Sequence, residues 1–487
     1  MHDFLKTWCY ALAFSLILVA CSAQNKQVPT SEIPPAPEIA ALATDEIVFV
    51  THLSRASYYL NGNNEWAGID HDLAQLFVKQ FAPEYKIRFV VAPQLNEIIP
   101  TLLKNQAHIA TGLSITDLRK ELILFATPFY DTQQQLIYNN ENTKTYKPKR
   151  AAPLVSFIQD KNLSVPAGSS AIERLEKMQQ AQPQLQWQAS PTANADVLLE
   201  KVALGGLDLT IANSHLVDIM QNFHPQLSVA SSLGEPEKMA WAFSKNADPK
   251  LIEKVNKFFK KIRNDGTLHN LIDRHYGHAN RLSSDDINVF LARTDNLLPQ
   301  YAPLFKAAQQ QTGIDWRLLA ALSYRESHWD THNTSPTGVR GLMMLTENTA
   351  NLMGVTDRLD PIQSVPAGAK YIAKLIDLIP ENVPEPDRTY MALAAYNIGY
   401  AHLQDARALT KRLNLNPDNW VDVKKALLKL SDPDYYSTTK YGYASGGAPV
   451  VFVETVRSYQ RILEHIQPGV DVSEQAIIAQ NDAEITP

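Results

Sequence analysis

The sequence predicts α/β lobes followed by a mainly α domain, and three observations carry that expectation. From Glu46 to about residue 278, short apolar runs alternate with amphipathic stretches, the pattern of strands and helices in mostly parallel sheets. After about residue 281 the strand-like runs stop and helical stretches follow one another. The chain has 487 residues, too many for one ordinary core, so two or three domains are expected.

The elements follow in order. Residues 47–50 (Ile-Val-Phe-Val) read as a buried strand and 87–91 as a second. Residues 72–81 read as a helix because Leu73, Leu76, Phe77 and Phe81 fall on one face. Residues 98–104 are helical and 108–112 form a short strand. The style repeats with a strand at 163–165, a helix at 172–178 and a strand at 207–212. In the second half, helices are expected over 297–311, 316–326, 346–353, 366–379, 388–397, 401–413, 421–430 and 451–466. Residues 279–296 are expected as a linker and 469–487 as a loose polar tail.

Composition excludes one class of partner. The net charge is -6, which gives no reason to expect nucleic acid as a partner. The N-terminus is more specific. Lys6 precedes an apolar run over 8–20, long enough for a signal-peptide core and short of the roughly 20 residues a membrane span needs. The run ends in Leu18-Val19-Ala20-Cys21, which resembles the lipobox of bacterial lipoproteins. That resemblance implies removal of 1–20 and lipidation of Cys21. Ser22, where aspartate would favour inner-membrane retention, implies anchoring at the periplasmic face of the outer membrane. A plain secretory signal is the alternative. Cys9 and Cys21 are the two cysteines, so a mature chain would keep one acylated thiol and no disulfide, leaving stability to buried cores. The proline-rich residues 21–44 read as a tether.

The segment 314–329 carries the chemistry. Asp315 suits a helix N-cap. Leu318, Leu322 and Glu326 recur at every fourth position and share one stripe, with Leu319 beside them. A carboxylate on an apolar stripe is costly when charged, so its pKa should rise, toward what a glycosidase acid needs near neutral pH. Spacing alone equally allows Glu326 to end its helix and face water. Further on, Gly338 and Gly341 let a loop pass close to a substrate or take a positive φ. Ala392, Ala394 and Ala395 let a helix come close to the acid-bearing one, and Gly399 suits a helix stop.

Three segments then fall in a telling order: Glu326-Ser327-His328-Trp329, Ser335-Pro336-Thr337-Gly338-Val339-Arg340-Gly341-Leu342-Met343, and Ala394-Ala395-Tyr396-Asn397-Ile398-Gly399. Together they resemble the three motifs of the soluble-lytic-transglycosylase family. Glu454-Thr455 with Tyr459 resembles that family's late helix, and the match covers roughly 297–468. The resemblance implies a goose-type lysozyme-like fold, peptidoglycan glycan strands as substrate, and no metal or cofactor. It implies Glu326 as the single catalytic acid/base. The acid would protonate the glycosidic oxygen between N-acetylmuramic acid and N-acetylglucosamine, then take the proton of the muramoyl C6 hydroxyl as a 1,6-anhydro ring closes. A nucleophile inside the substrate explains how one carboxylate serves where hydrolytic glycosidases use two.

Substrate contacts are expected from Ser327, Gly341, Met343, Tyr396, Asn397 and Tyr459. Ser327 would fix the backbone or a substrate carbonyl, and the Tyr396 hydroxyl would hold Glu326 or the sugar. Tyr435, Tyr436, Tyr441 and Tyr443 offer stacking surfaces. Met344 stands where many relatives carry glutamine and cannot make glutamine's hydrogen bonds; the variant resembles a membrane-bound subgroup of the family.

Upstream, Gly68-Ile69-Asp70-His71-Asp72-Leu73-Ala74, Gly112-Leu113-Ser114-Ile115-Thr116-Asp117-Leu118-Arg119 and Phe125-Ala126-Thr127-Pro128-Phe129-Tyr130 resemble the family 3 periplasmic solute-binding proteins, as do 205–208 and 264–268. The resemblance implies two α/β lobes over 45–278, joined by a hinge around a ligand cleft. In that family's amino-acid binders the matching arginine clamps the ligand carboxylate. The role falls on Arg119, with Ser114 beside it; a structural ion pair is the alternative. Asn213 takes the place of an aspartate that holds the ligand amine. Muropeptides or free amino acids are the expected ligands, and hinge closure would regulate the helical domain. Two further readings stay open: a catalytically inactive muropeptide-binding lipoprotein, and a lysozyme-type muramidase.

Overall fold

A computed structural model describes residues 45–62, 64–142, 157–277, 282–335 and 338–467. The expected signal, tether and tail, and Cys21 with them, lie outside these. The described residues all belong to one compact unit.

The α/β part is built on a nine-stranded mixed sheet. In chain order its strands are β1 (Glu46–Thr51), β4 (Lys86–Val91), β5 (Ile109–Ser114), β6 (Ile123–Phe125), β7 (Tyr130–Asn139), β8 (Leu163–Pro166), β9 (Gln188–Ser190), β10 (Leu209–Asn213) and β11 (Leu227–Ser244). A separate two-stranded ribbon pairs β2 (Tyr59–Leu60) with β3 (Trp66–Ala67). The spatial order β4-β1-β5-β11-β7-β10-β8-β9 divides into two lobes. β1 runs parallel to β4 and β5 on one side, and β8 parallel to β9 and β10 on the other. The expectation of mostly parallel sheets needs one correction. β7 and β11 cross antiparallel between the lobes, and β11 pairs with β5, β6 and β7 in turn. Two long strands shared by both lobes are a hinge in backbone form.

Each lobe has its own core. Ile47, Phe49, Leu73, Phe77, Trp241 and Phe258 fill the first, and Leu136, Leu163, Val165, Leu175, Leu209 and Ile211 the second. The Ile69–Phe81 helix buries Leu73 and Phe77, one turn apart, against the first sheet, while Leu76 and Phe81 sit at its rim. β1 buries five of its six residues because helices cover both faces of a parallel sheet.

Beyond residue 281 the described residues are helical. Residues 284–296, expected as linker, instead form a helix, Ser284–Asn296, closed at its start by a Ser283/Asp286 capping box. Ile287 and Phe290 anchor it in the core. The helices Leu298–Thr312, Trp316–Ser327, Pro361–Leu378, Asp387–Ile398 and Gly447–Ile466 wrap the same core, which also takes in Ile219, Met220 and Phe223 from the second lobe. Apolar packing therefore runs unbroken from the binding lobe into the helical domain. Ala392, Ala394 and Ala395 are fully buried, and their helix, Asp387–Ile398, packs chiefly against Gly447–Ile466 and only weakly, if at all, against the acid-bearing helix expected as its neighbour. Alanines permit close approach without choosing the partner.

Candidate active site

The helix Trp316–Ser327 starts where Asp315 accepts a hydrogen bond from the Arg317 backbone N–H at 2.7 Å, the expected cap. Leu318, Leu319 and Leu322 are buried, each contributing about 1.5–3 kcal/mol. Glu326 continues their stripe into the last turn. It is part-buried, and among the described residues no side chain donates a hydrogen bond to its carboxylate. Burial pushes its pKa up to about 7, with the Arg325 guanidinium opposing; no other acid contributes. The carbonyl pole of the helix end acts in the same direction. His328 and Trp329 both take left-handed backbone and turn the chain sharply after the acid. The Trp329 indole N–H donates to the Ala320 carbonyl at 3.0 Å, fixing that turn to the helix.

A loop over 338–345 lies against this helix and is held from three sides. The hydroxyls of Ser323 and Ser327 donate to the Leu342 carbonyl at 3.0 and 2.9 Å. The Tyr396 hydroxyl donates to the Met343 carbonyl at 2.7 Å. Arg358 donates to the carbonyls of Gly338 and Leu345. Gly341 has φ 79°, and a Cβ there would stand 1.8 Å from the Arg358 carbonyl oxygen. Gly341→Ala is therefore expected to lose about 1–3 kcal/mol of stability in urea unfolding and to displace this wall of the site.

The expected contacts sort accordingly. Ser327 is buried with its hydroxyl shared between the Ser323 and Leu342 carbonyls, so of its two expected roles it fills the backbone one. Burial first, then the nearby Glu326, raises the Tyr396 pKa, but the hydroxyl proton is held by the Met343 carbonyl and not by Glu326. Met343 is fully buried over Gly368 and cannot touch a substrate with its side chain. Tyr459 is buried in a ring cluster with Phe290 and Tyr324, at 4.4 and 4.8 Å. Asn397 is exposed, as are Tyr441 and Tyr443, while Tyr435 and Tyr436 are part-buried. Met344, at φ 46°, is part-buried. Three residues that hold this loop carry no motif: Ser323, Arg358, and Ser364, whose hydroxyl accepts from the Met343 N–H at 3.3 Å. Ser323 had a signal, standing one turn before Ser327; the other two had none.

In the α/β part, Arg119, Ser114 and Asn213 line one cleft of about 910 Å³ between the lobes. Arg119 is buried and donates to the Ser114 carbonyl at 2.8 Å and, across the cleft, to the Gly168 carbonyl at 2.7 Å. Its nearest acid, Glu173, is 3.9 Å away. Asp70 sits at the cleft floor with Oδ2 held by Thr51 and Thr111, and burial raises its pKa to about 6. Asp70 Oδ1, Gln134 Oε1, Asp196 Oδ2 and the Ser169 hydroxyl all border the cleft, buried and without a hydrogen-bond partner. Buried acceptors without donors are costly, so this cleft is shaped for something that brings N–H groups.

Fold and geometry together define a class: a lysozyme-like helical domain with one recessed acid, joined to a two-lobed solute-binding domain. Residues 303–419 match the Transglycosylase SLT domain family, and residues 47–278 match the bacterial extracellular solute-binding proteins, family 3. Three curated relatives carry the name membrane-bound lytic murein transglycosylase F. That of Methylobacillus flagellatus is 52% identical over 455 residues, 93% of each chain. That of Nitrosospira multiformis is 43% identical over 87% of each chain, and that of Cronobacter sakazakii 37% identical over 92% of this chain and 86% of its own. The chain belongs to the membrane-bound lytic murein transglycosylase F family and is a peptidoglycan lytic transglycosylase. Among the described residues no helix is long and apolar enough to cross a membrane.

Proposed function

We propose that Glu326 alone cleaves the β-1,4 bond between N-acetylmuramic acid and N-acetylglucosamine, without water. The carboxyl gives its proton to the glycosidic oxygen as the C1–O4 bond breaks. The carboxylate then takes the proton of the muramoyl C6 hydroxyl as that oxygen bonds to C1, closing a 1,6-anhydro ring. The observation that carries this reading is the state of Glu326: a part-buried acid held near pKa 7 by burial, with no second acid acting on it. Such a group is protonated often enough to donate and basic enough to accept. Asn397 and the exposed Tyr441 and Tyr443 remain as sugar contacts.

The cleft between the lobes is read as a sensor for peptide or amino-acid ligands, muropeptides included. Its unpartnered acceptors suit ammonium and amide N–H groups, and Arg119 suits a carboxylate once it releases Gly168. Closure of the lobes on such a ligand would then act on the helical domain through their shared core. A lipid on Cys21 would hold the enzyme at the periplasmic face of the outer membrane.

Digestion of purified sacculi with mass analysis of the products tests the reaction. Anhydro-ended muropeptides, each one water lighter than the hydrolytic product, are expected. Reducing-end sugars would instead mark a muramidase, and no products an inactive binder.

A further inference from the structure

Three side chains far apart in sequence converge where the second lobe meets the helical domain. Glu200 lies on the Ala195–Ala203 helix, His224 follows the Ser214–Gln221 helix, and His465 is in the last turn of Gly447–Ile466. One ligand-capable atom from each lies within 4.8 Å of the other two. His224 Nε2 is 3.9 Å from Glu200 Oε1, beyond hydrogen-bond reach, and is buried without a hydrogen-bond partner. His465 packs against Phe223 with ring centroids 4.1 Å apart and the planes tilted by 30°, which restricts its ring. Glu200 and His465 also border a cavity of about 880 Å³ that gives ions and water access to them.

We propose that Glu200, His224 and His465 form a binding site for a zinc-class divalent metal ion, which ties the binding domain to the helical domain. Two imidazoles and one carboxylate are the donor set that such an ion prefers, with water completing a tetrahedron from the cavity side. Bonds of about 2.0–2.2 Å require ligand atoms roughly 3.3–3.5 Å apart, so the side chains close by about 1 Å on binding. Arg55 is the chief competitor. It donates to Glu200 Oε1 at 3.3 Å, and the metal takes the other carboxylate oxygen. The ion then replaces an orphaned nitrogen and a long contact with three bonds. Two of those come from the binding domain and one from the helix whose Arg461 also reaches back to the Arg55 carbonyl at 2.9 Å.

The test is equilibrium dialysis of the untagged full chain, stripped with chelator, against zinc chloride. One zinc per chain is expected. His224→Ala, His465→Ala and Glu200→Gln should each weaken binding by at least about tenfold, the loss that changes even one shell further out bring. Cobalt loading should give the visible bands of a four-coordinate ion, and His465→Ala should abolish them. Melting in chelator checks that each variant folds; if an alanine variant does not, the near-isosteric Glu200→Gln decides. Zinc retention no better than background, or retention unchanged in the folded variants, would overturn the proposal.

Discussion

Glu326→Gln is expected to slow sacculus digestion by about 10³–10⁴-fold, because one group serves both proton transfers and glutamine can perform neither. The fold should survive, since the amide fits the same space. A variant that kept more than about a tenth of the wild-type rate would remove Glu326 from the chemistry. The wild-type rate should fall as pH rises above about 7, where the carboxyl loses the proton it must donate. Stability carries a second signature of opposite sense for the variant. The folded protein holds the Glu326 proton up to about pH 7, whereas the unfolded chain releases it near the ordinary 4.5. Between those values the folded state binds more protons, so stability falls as pH rises through that window. At pH 8 the ionised group costs the wild type about 2–3 kcal/mol, and at pH 4 it costs nothing. Glu326→Gln should therefore unfold at a higher urea concentration than wild type at pH 8 and at the same concentration at pH 4.

The stripe was readable because helical spacing is fixed by geometry: Asp315 caps, Leu318 and Leu322 bury, and Glu326 shares their side of the helix, while its part-burial depends on neighbours that spacing does not mark. What spacing cannot reveal is which polar atoms meet. Tyr396 and Glu326 are neighbours, yet the tyrosine proton goes to Met343, a partner 53 residues away that no periodicity marks. Tyr459 matched a motif and turned out to fill a ring cluster. The hinge was expected, but the long strand β11 that helps form it was hidden for another reason. β11 carries Gly234, Pro236 and three charges in mid-strand, which read as a turn, and register shifts near Val229 and Leu233 let the strand pass through them. The helix over 284–296 looked like linker because it buries only Ile287, Phe290 and Thr294, too narrow an apolar face to stand out.

Glu454→Ala is expected to destabilise the protein by about 3–5 kcal/mol, the cost of stripping a buried cation of its partner. Glu454 is almost fully buried. One oxygen accepts from the Trp420 indole at 3.0 Å and from Lys424 at 3.3 Å, and the other accepts from Arg457. Those two cations are also the bridge to the binding domain. Lys424 grips Asp273 at 2.7 and 2.8 Å, and Arg457 donates to the Arg274 carbonyl at 2.8 Å. Arg274 in turn reaches Asp387 at 2.6 Å. Without Glu454, the buried Arg457 loses its close carboxylate partner, and the Asp273 carboxylate stands 3.9 Å away. Asp273→Asn should cost less, about 1–2 kcal/mol, because Lys424 and Arg457 keep Glu454. Because the network and the apolar core both cross from one domain to the other, each variant should unfold in a single transition in urea, shifted to a lower midpoint. Two separated transitions in the wild type would show that the domains are stable apart, and a Glu454→Ala loss below about 1 kcal/mol would show water already doing the carboxylate's work.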